Sequence, residues 1–267
     1  MTKILDCTIR DGGHLCDWNF DKFVVDETYQ TACKSGVEYF EYGYRMHKNC
    51  RGLYSVCPDE ILPDGSSEIV VMVNVSDFDI NDFAFGGKFI VRVACHCNEI
   101  AEGMCACEML ADRGYRVFLH VMNIDKVEDY DLLKNWKNKD ILISLYFADS
   151  FGALEVSDIE FYYKKLRDLG YENISFHGHN NLQLAFANTL KAIELGAYSV
   201  DASAFGMGRG AGNLPMELLL GKIGNNRYYN ELVRKYFIDL HKKYNWGYSL
   251  ETVYTGLNNI HPSKILV

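Results

Sequence analysis

Apolar and polar positions alternate along this chain with two periods, one typical of strands and one typical of helices. Eight short segments are rich in Val, Ile, Phe or Tyr, and several are bounded by Gly, Asp or Asn, which predicts strands. The predicted strands cover residues 4–10, 37–42, 69–75, 89–95, 116–122, 141–147, 173–178 and 198–204. Amphipathic stretches that end next to Gly lie between them and are predicted helices, at 20–34, 98–113, 156–169 and 182–195.

The alternation of strands with helices predicts parallel pairing through crossover connections. Eight strands close a (β/α)8 barrel, and 267 residues is a usual length for one. We therefore predict an α/β fold with a single TIM barrel over residues 1–225. A short C-terminal helical extension, 226–267, is expected to pack on the barrel or on a partner subunit. Within it 226–243 has a helical pattern, whereas 244–267 holds little regular pattern, and in the barrel 76–88 is too irregular for a normal helix.

Composition and charge narrow the classes of partner. The net charge of −9 disfavours nucleic acid or an anionic membrane, although local Arg and metal charge can still attract a small anion. No apolar run approaches the ~20 residues of a transmembrane helix. No basic segment followed by an apolar stretch precedes the first strand, so we expect a cytoplasmic protein. The nine cysteines lack zinc-type spacing and are expected to be reduced thiols.

Polar side chains that can perform chemistry gather where the predicted strands end. They are Arg10, Asp11, His14, Tyr42, Tyr44, Arg45, Asn74, Arg92, His96, His120, Asn123, Asp149, Ser150, His177, His179, Asn180, Asp201 and Ser203. Active sites of (β/α)8 barrels form at the C-terminal ends of the strands. The pattern therefore predicts one site at that end of the barrel.

The segment His177-Gly178-His179 indicates a metal site. Side chains alternate faces along a strand, so two histidines separated by one residue point the same way. Asp11, at the end of another predicted strand, would complete a set of two histidines and one carboxylate. Such a set suits a divalent cation that keeps positions open for substrate.

The glycine-rich loop, residues 206–213, has three interpretations. Its G-x-G-x-x-A pattern matches a dinucleotide fingerprint, but that fingerprint belongs to the first turn of a doubly wound sheet. The loop can instead bring backbone close to a ligand or metal, with Asn213 as a possible extra oxygen ligand. A flexible turn before a helix at 214–222 is the third interpretation.

Three motifs together resemble the DRE-TIM metallolyase superfamily, the HMG-CoA-lyase-like barrels. Residues 6–12, Asp-Cys-Thr-Ile-Arg-Asp-Gly, are similar to its opening motif. Residues 177–182 are similar to its metal-binding strand, and residues 200–213 to its closing loop. The resemblance spans nearly the whole chain and implies the barrel fold and an enzyme.

Within that superfamily the chain resembles the 4-hydroxy-2-oxovalerate aldolases most. Residues 91–99 and 148–153 are similar to segments of those enzymes, and His14 stands where they carry the catalytic base. The chain is too short for the helical communication domain by which those aldolases dock an aldehyde dehydrogenase, so that partner is not expected. Residues 16–20 depart from the pattern and are expected to line a different substrate pocket.

The resemblance implies a divalent-metal-dependent class II pyruvate aldolase. Such an enzyme cleaves a 4-hydroxy-2-oxoacid reversibly into pyruvate and an aldehyde. Asp11, His177 and His179 are then the metal ligands, with Asn213 as a further one. We expect Mn²⁺, with Mg²⁺, Co²⁺ or Zn²⁺ as alternatives.

Each remaining candidate then has a role in this reaction. Arg10 would stabilise the enolate oxygen, and His14 would take the proton from the hydroxyl of the aldehyde half. Tyr254 is the candidate acid for the enolate carbon. The substrate-binding candidates are Arg10, Arg92, His96 and Ser150. No Lys lies at a predicted strand end to form a Schiff base, which favours the metal route.

Two other functions stay open at this point. One is a Claisen-type synthase that joins an acyl-CoA to a 2-oxoacid on the same metal. The other is a non-catalytic metal-binding barrel, although such a protein has no need of a base at His14. A homo-oligomer is expected, because the aromatic-rich segment 228–248 could bury against a partner subunit.

Overall fold

Eight parallel strands form a closed barrel at the centre of the molecule. The computed structural model describes residues 1–48 and 50–261. The strands are β1 (Lys3–Asp6), β2 (Tyr39–Tyr44), β3 (Glu68–Asn74), β4 (Ile90–Cys95), β5 (Arg116–Val121), β6 (Leu142–Asp149), β7 (Ile174–Gly178) and β8 (Ser199–Ala202). They pair in chain order, and β8 closes against β1. The predicted (β/α)8 barrel is confirmed.

Helices of unequal length connect the strands and follow the last of them. They are α1 (Thr8–Cys16), α2 (Lys22–Ser35), α3 (Leu53–Val56), α4 (Ile100–Asp112), α5 (Asp131–Asn135), α6 (Val156–Asp168), α7 (Ala185–Glu194), α8 (Met216–Ile223), α9 (Arg227–Leu232), α10 (Ile238–Tyr244) and α11 (Leu250–Asn258). A π-helical segment, Val233–Phe237, joins α9 to α10, so the predicted helix at 226–243 is confirmed. Between β3 and β4 the described residues form short 3-10 turns, as the irregular pattern there predicted.

The first predicted strand was too long. β1 ends at Asp6, because the Asp6 carboxylate accepts a hydrogen bond from the backbone N–H of Thr8 and turns the chain into α1. Asp11 and its neighbours therefore lie on a helix that follows the strand, not at the end of the strand itself. The apolar residue Ile9, which suggested a longer strand, is buried on α1 instead.

The prediction of little regular structure after residue 243 was also wrong. Ser249 caps α11, since its hydroxyl accepts a hydrogen bond from the N–H of Thr252 at 3.2 Å. This helix buries the small residues Thr255 and Gly256 and leaves Leu250 and Leu257 exposed. Apolar residues at 250, 253, 254 and 257 have helical spacing, but the apolar side of this helix is largely the exposed one, the reverse of the usual amphipathic pattern.

The C-terminal extension packs on the barrel through both apolar and polar contacts. Tyr229 donates a hydrogen bond to the carboxylate of Asp6, and the indole of Trp246 donates to the carbonyl of Phe205 at 3.0 Å. The predicted extension also includes 262–267, which lie outside the described residues. Within 1–48 and 50–261, no helix combines the length and apolar character needed to cross a membrane.

The inside of the barrel contains two layers of side chains. In the lower layer the ring of Phe118 contacts those of Tyr39 and Tyr146, with centroids 5.4 and 5.3 Å apart. Two residues further along their strands, Glu41 and His120 lie in an upper, charged layer on the same inward face. The upper layer forms the floor of the candidate site.

Candidate active site

A cavity of about 340 Å³ opens at the C-terminal end of the barrel, above the charged layer. Six of the residues predicted from sequence line it: Arg10, His14, His96, Ser150, His177 and His179. Asp11 and Asn213 are buried beside it. The prediction of a single site at this end of the barrel therefore agrees with the geometry.

Asp11, His177 and His179 form a compact group of possible metal ligands. One ligand atom from each lies within 4.8 Å of the others. Asp11 Oδ2 is 3.6 Å from His179 Nε2. Burial alone would raise the pKa of Asp11, but the charge of Arg10 outweighs burial and holds this pKa well below its usual value, so the carboxylate is ionised.

Hydrogen bonds fix the orientation of both imidazoles. His177 Nδ1 donates to the Asp201 carboxylate at 2.8 Å, and His179 Nδ1 donates to the carbonyl of Asp149 at 3.2 Å. Each ring therefore keeps its Nε2 lone pair free. Burial lowers the pKa of His177 to about 4, so the ring is neutral near pH 7. This is how metal-binding histidines are held by carboxylates and carbonyls in proteins, and the group fits a divalent cation.

Arg10 is held rigidly at the edge of the cavity. Its Nε donates to Glu41 at 2.6 Å, and its Nη1 donates to Asp11 at 2.9 Å. Its Nη2 is buried and has no hydrogen-bond partner among the described residues. An unpaired donor is costly inside a protein. Arg10 lines the cavity, so a substrate oxygen bound there is a candidate partner for this donor.

His14 faces the same cavity from α1. Its Nε2 lies 3.4 Å from the hydroxyl of Tyr44, and its ring packs edge-on against Trp18 at 4.5 Å. The indole of Trp18 in turn donates to the carbonyl of Arg10 at 3.1 Å. Burial, with a smaller contribution from Arg209, lowers the pKa of His14 to about 3, so the imidazole is neutral near pH 7.

The glycine-rich loop passes directly over the carboxylate of Asp11. The side-chain amide of Asn213 donates to Asp11 Oδ2 at 2.5 Å, and its Oδ1 is buried without a partner among the described residues. A Cβ at Gly208 would lie 2.7 Å from Asp11 Oδ2. The geometry supports the close-approach interpretation of this loop, and it places the nitrogen of Asn213 against Asp11.

Known proteins match this chain in sequence and in fold. A family model described as HMGL-like matches residues 1–243. The chain belongs to the HMGL-like family. The resemblance to the HMG-CoA-lyase-like barrels is therefore confirmed.

Three proteins are similar to this HMGL-like chain over most of its length. The 4-hydroxy-2-oxovalerate aldolase of Bacillus cereus is 29% identical over 259 residues, which cover 90% of this chain and 73% of the relative. The oxaloacetate decarboxylase of Mycobacterium tuberculosis is 25% identical, over 82% of this chain and 69% of the relative. The solved N-terminal domain of a candidate aldolase from Bacteroides vulgatus has a TM-score of 0.90 and 29% identity, with coverage of 98% and 94%. The predicted enzyme class, a carbon–carbon lyase, is confirmed.

In this HMGL-like barrel Arg92 lies below the cavity and does not line it, contrary to its prediction as a substrate-binding residue. Its side chain is completely buried. It donates to Asp201 at 2.6 Å, to His120 at 2.7 Å and to Glu41 at 3.3 Å. The guanidinium is therefore fully occupied by protein groups. Through Asp201 it acts as a positioning residue for His177.

Tyr254, the candidate acid, does not line the cavity. It lies on α11 with 52% of its surface exposed. The helix turns Thr255 and Gly256 toward the barrel, which directs Tyr254 outward. The structure therefore does not support it as the acid for the enolate carbon.

His96 and Ser150 line the cavity near its mouth. Ser150 Oγ accepts a hydrogen bond from the backbone N–H of Asn123 at 2.9 Å, which leaves the hydroxyl proton free to donate. The backbone N–H of His96 donates to Glu99 at 3.0 Å, and the imidazole lies at the cavity wall. Both positions are compatible with the predicted contacts to substrate.

Other lining residues have no assigned role in the sequence analysis, among them Tyr44, His120 and Arg209. His120 Nδ1 accepts from Arg92, so its ring proton is on Nε2, and burial holds its pKa well below the usual value. A sequence signal existed for each. Tyr44 and His120 end predicted strands, and Arg209 is the one charged residue of the glycine-rich loop.

Proposed function

We propose that this protein is a divalent-metal-dependent class II aldolase that cleaves a 4-hydroxy-2-oxoacid into pyruvate and an aldehyde. One observation carries the proposal. The Asp11–His177–His179 group, the guanidinium of Arg10 and the imidazole of His14 lie together at one cavity, with Asp11 buried beside it. An enolate-forming cleavage needs these three elements together.

Asp11, His177 and His179 would hold the metal. A divalent cation bound there acts as a Lewis acid for the 2-oxo group of the substrate. The chain fixes the ligands before any cation arrives, because Asp201 and Asp149 orient the two histidines. Mn²⁺ is the ion we expect, with Mg²⁺, Co²⁺ or Zn²⁺ as alternatives.

Arg10 would stabilise the charge that develops on the enolate oxygen. Its other donors are bound to Glu41 and Asp11, so Nη2 is presented in a fixed position. A donor held in place before the reaction contributes more than one that must reorganise, typically about 3–4 kcal/mol. Ser150 and His96 are proposed to contact the remaining oxygen atoms of the substrate.

His14 would act as the base. It accepts the proton of the 4-hydroxyl as the bond between C3 and C4 breaks, the aldehyde leaves, and the electron pair moves onto the enolate. C3 then takes a proton to complete the methyl group of pyruvate, and His14 releases the one it holds. Tyr44, 3.4 Å from Nε2, keeps the ring facing the cavity.

The direct test measures pyruvate release from 4-hydroxy-2-oxopentanoate with added Mn²⁺. Asp11→Asn should lower turnover by about 1000-fold or more, since it removes both a ligand charge and the Lewis acid. The same variant should also bind less Mn²⁺ by elemental analysis. Asp17→Asn is the matched control, because Asp17 is exposed and pairs only with Arg51 among the described residues. Full activity of Asp11→Asn, or of wild type in excess chelator, would contradict the proposal.

A second candidate function, decarboxylation of a 2-oxo diacid, is favoured by the similarity to an oxaloacetate decarboxylase. Decarboxylation produces the same pyruvate enolate but has no hydroxyl proton to remove, so it does not need His14. A His14→Gln variant therefore separates the two. It should lose aldol cleavage under the main proposal, whereas a decarboxylase would keep its activity on oxaloacetate.

The Claisen-type synthase and the non-catalytic barrel remain outcomes of the same assays. Release of free CoA from acetyl-CoA and a 2-oxoacid, detected with a thiol reagent, would identify the synthase. Metal binding without turnover of any of these substrates would identify the non-catalytic barrel.

A further inference from the structure

One cationic side chain at the cavity, Arg209, has no role in the proposed pyruvate chemistry. Arg10 and Arg209 both line the cavity, although the whole chain has a net charge of −9. Among the lining residues within 1–48 and 50–261, Glu99 is the one acidic side chain, and its carboxylate accepts from the N–H of His96. The cavity is therefore suited to an anion with more than one charged group.

Arg209 is the cation at this cavity that has no partner. It projects from the glycine-rich loop and is exposed. In the described part of the chain it makes no ion pair, whereas Arg10 is bound to Glu41 and Asp11 and Arg92 to Glu41 and Asp201. A guanidinium is suited to bidentate binding of a carboxylate or a phosphate.

The backbone that carries Arg209 is held in place on two sides. The carbonyl of Arg209 accepts from the N–H of Gly212 at 2.9 Å, and the carbonyl of Gly210 accepts from the N–H of Gly247 at 2.9 Å. The carbonyl of Gly212 accepts from the N–H of Asn180. The side chain therefore starts from a fixed position over the cavity, which lowers the entropy cost of holding a ligand there.

Arg209 lies close enough to His14 for its charge to matter. After burial, it is the next contribution that lowers the pKa of His14, and its charge also acts on Tyr44, the hydrogen-bond partner of His14. A cation beside a base opposes protonation of that base. An anion bound to Arg209 would offset the effect at the point where the aldehyde half must lie.

We propose that Arg209 binds a second anionic group, a carboxylate or a phosphate, on the aldehyde half of the substrate. The protein then prefers aldehydes that carry such a group over neutral aldehydes of the same size. The inference rests on the proposed aldolase function and adds a substrate class to it.

The test measures condensation of pyruvate with three matched pairs of aldehydes on the Mn²⁺-loaded full chain. The pairs are glyoxylate with acetaldehyde, succinic semialdehyde with butanal, and glyceraldehyde 3-phosphate with glyceraldehyde. The readout is the ratio of kcat/KM for the anionic member to that for the neutral member. Wild type should favour the anionic member of at least one pair. A preference in either of the first two pairs indicates a carboxylate, and a preference in the third indicates a phosphate.

Variants at position 209 assign the preference to this side chain. Arg209→Met should lower the ratio by about 10- to 100-fold, the usual contribution of a charge-assisted hydrogen bond. Arg209→Lys should keep most of it. Thermal unfolding of both variants checks that the fold is unchanged, which is expected for an exposed side chain.

Two results would overturn the inference. One is a wild-type ratio near one for all three pairs, while the neutral aldehydes condense readily. The other is an unchanged ratio in Arg209→Met. Both leave the aldolase function standing. Failure of every aldehyde to condense would instead overturn the aldolase proposal, and this inference with it.

Discussion

The two layers inside the barrel come from the same strands but differ in what they do. In the lower layer Tyr39, Phe118 and Tyr146 pack ring against ring, and Tyr146 shares a hydrogen bond with Ser199. Two residues further along the strands, the upper layer holds charges that are buried and paired, such as Arg92 with Asp201. The alternation of a strand thus places a neutral core directly beneath a charged floor.

The lower layer mainly stabilises the fold, whereas the upper layer mainly positions side chains at the cavity. Burial of aromatic rings contributes directly to the free energy of folding. Buried ion pairs contribute little net stability, because the cost of removing charges from water offsets their attraction. What the upper layer provides is a fixed orientation of His177 and Arg10 at the cavity.

The largest expected effect follows from removing a charge from the upper layer. Arg92→Met leaves the carboxylates of Glu41 and Asp201 buried with one cation fewer, which should cost about 3–5 kcal/mol in unfolding free energy. Urea denaturation measures the loss. Arg116→Met is the matched control, because Arg116 and Glu68 form an exposed pair and should lose less than about 1 kcal/mol. Equal losses in the two variants would contradict a special role for the upper layer.

Asp6 differs from the paired charges of the upper layer. It is buried, and none of the described residues forms an ion pair with it. Burial raises its pKa to about 6, although the hydrogen bonds from Thr8 and Tyr229 act in the opposite direction. The folded pKa lies above that of an unfolded Asp, about 3.9. Its contribution to stability is therefore fully present below about pH 4 and is lost as the pH rises through about 6.

The measurement is the unfolding free energy of wild type minus that of Asp6→Asn. This difference should fall by roughly 2–3 kcal/mol between pH 4 and pH 7. The corresponding difference for Asp201→Asn should rise with pH, since Arg92 and His177 overcome burial and lower the pKa of Asp201. A pH-independent difference for Asp6→Asn would contradict the account.

Much of this arrangement follows from sequence patterns, and the part that does not is non-local. The barrel follows from alternating periods, and the candidate metal ligands follow from two histidines separated by one residue and an acid near the end of another strand. Glu41, Arg92 and Asp201 meet only because the sheet closes, since they lie 51 and 109 positions apart along the chain. Periodicity places Arg92 on the inward face but does not tell which layer it occupies.

Two local features were also beyond hydrophobic patterns. The start of α1 depends on a side-chain hydrogen bond at Asp6, which ends the strand earlier than its apolar residues suggest. The α11 helix buries small residues and turns Tyr254 outward, so the Tyr that the family resemblance suggested as an acid lies on the surface. Both errors arise where a few polar or steric contacts override the apolar pattern.

Asp201→Asn tests positioning alone. It keeps the shape of the side chain but removes the charge that holds His177 Nδ1. Loss of such an outer carboxylate typically weakens metal affinity by about 10- to 100-fold, and calorimetric titration with Mn²⁺ measures it. Ser199→Ala, in the lower layer of the same strand, is the control and should leave Mn²⁺ affinity unchanged. If Asp201→Asn kept the Mn²⁺ affinity of wild type, the upper layer would have no role in positioning the metal site.

The smallest expected effect belongs to the lower layer. Phe118→Leu removes buried carbon atoms between Tyr39 and Tyr146 and should lower the unfolding free energy by roughly 1–2 kcal/mol. Turnover and Mn²⁺ affinity should stay at the wild-type level, because no group of the cavity moves. A loss of Mn²⁺ affinity without a loss of stability would show that the layers are not separable.

The central claim is that α1 and β7 together hold a divalent cation at the C-terminal end of the barrel. Crystals grown with Mn²⁺ and measured at the manganese absorption edge test it most directly. We expect one anomalous peak within about 2.0–2.3 Å of an Asp11 oxygen and of the Nε2 atoms of His177 and His179. A peak elsewhere, or imidazoles turned away from Asp11, would contradict the account.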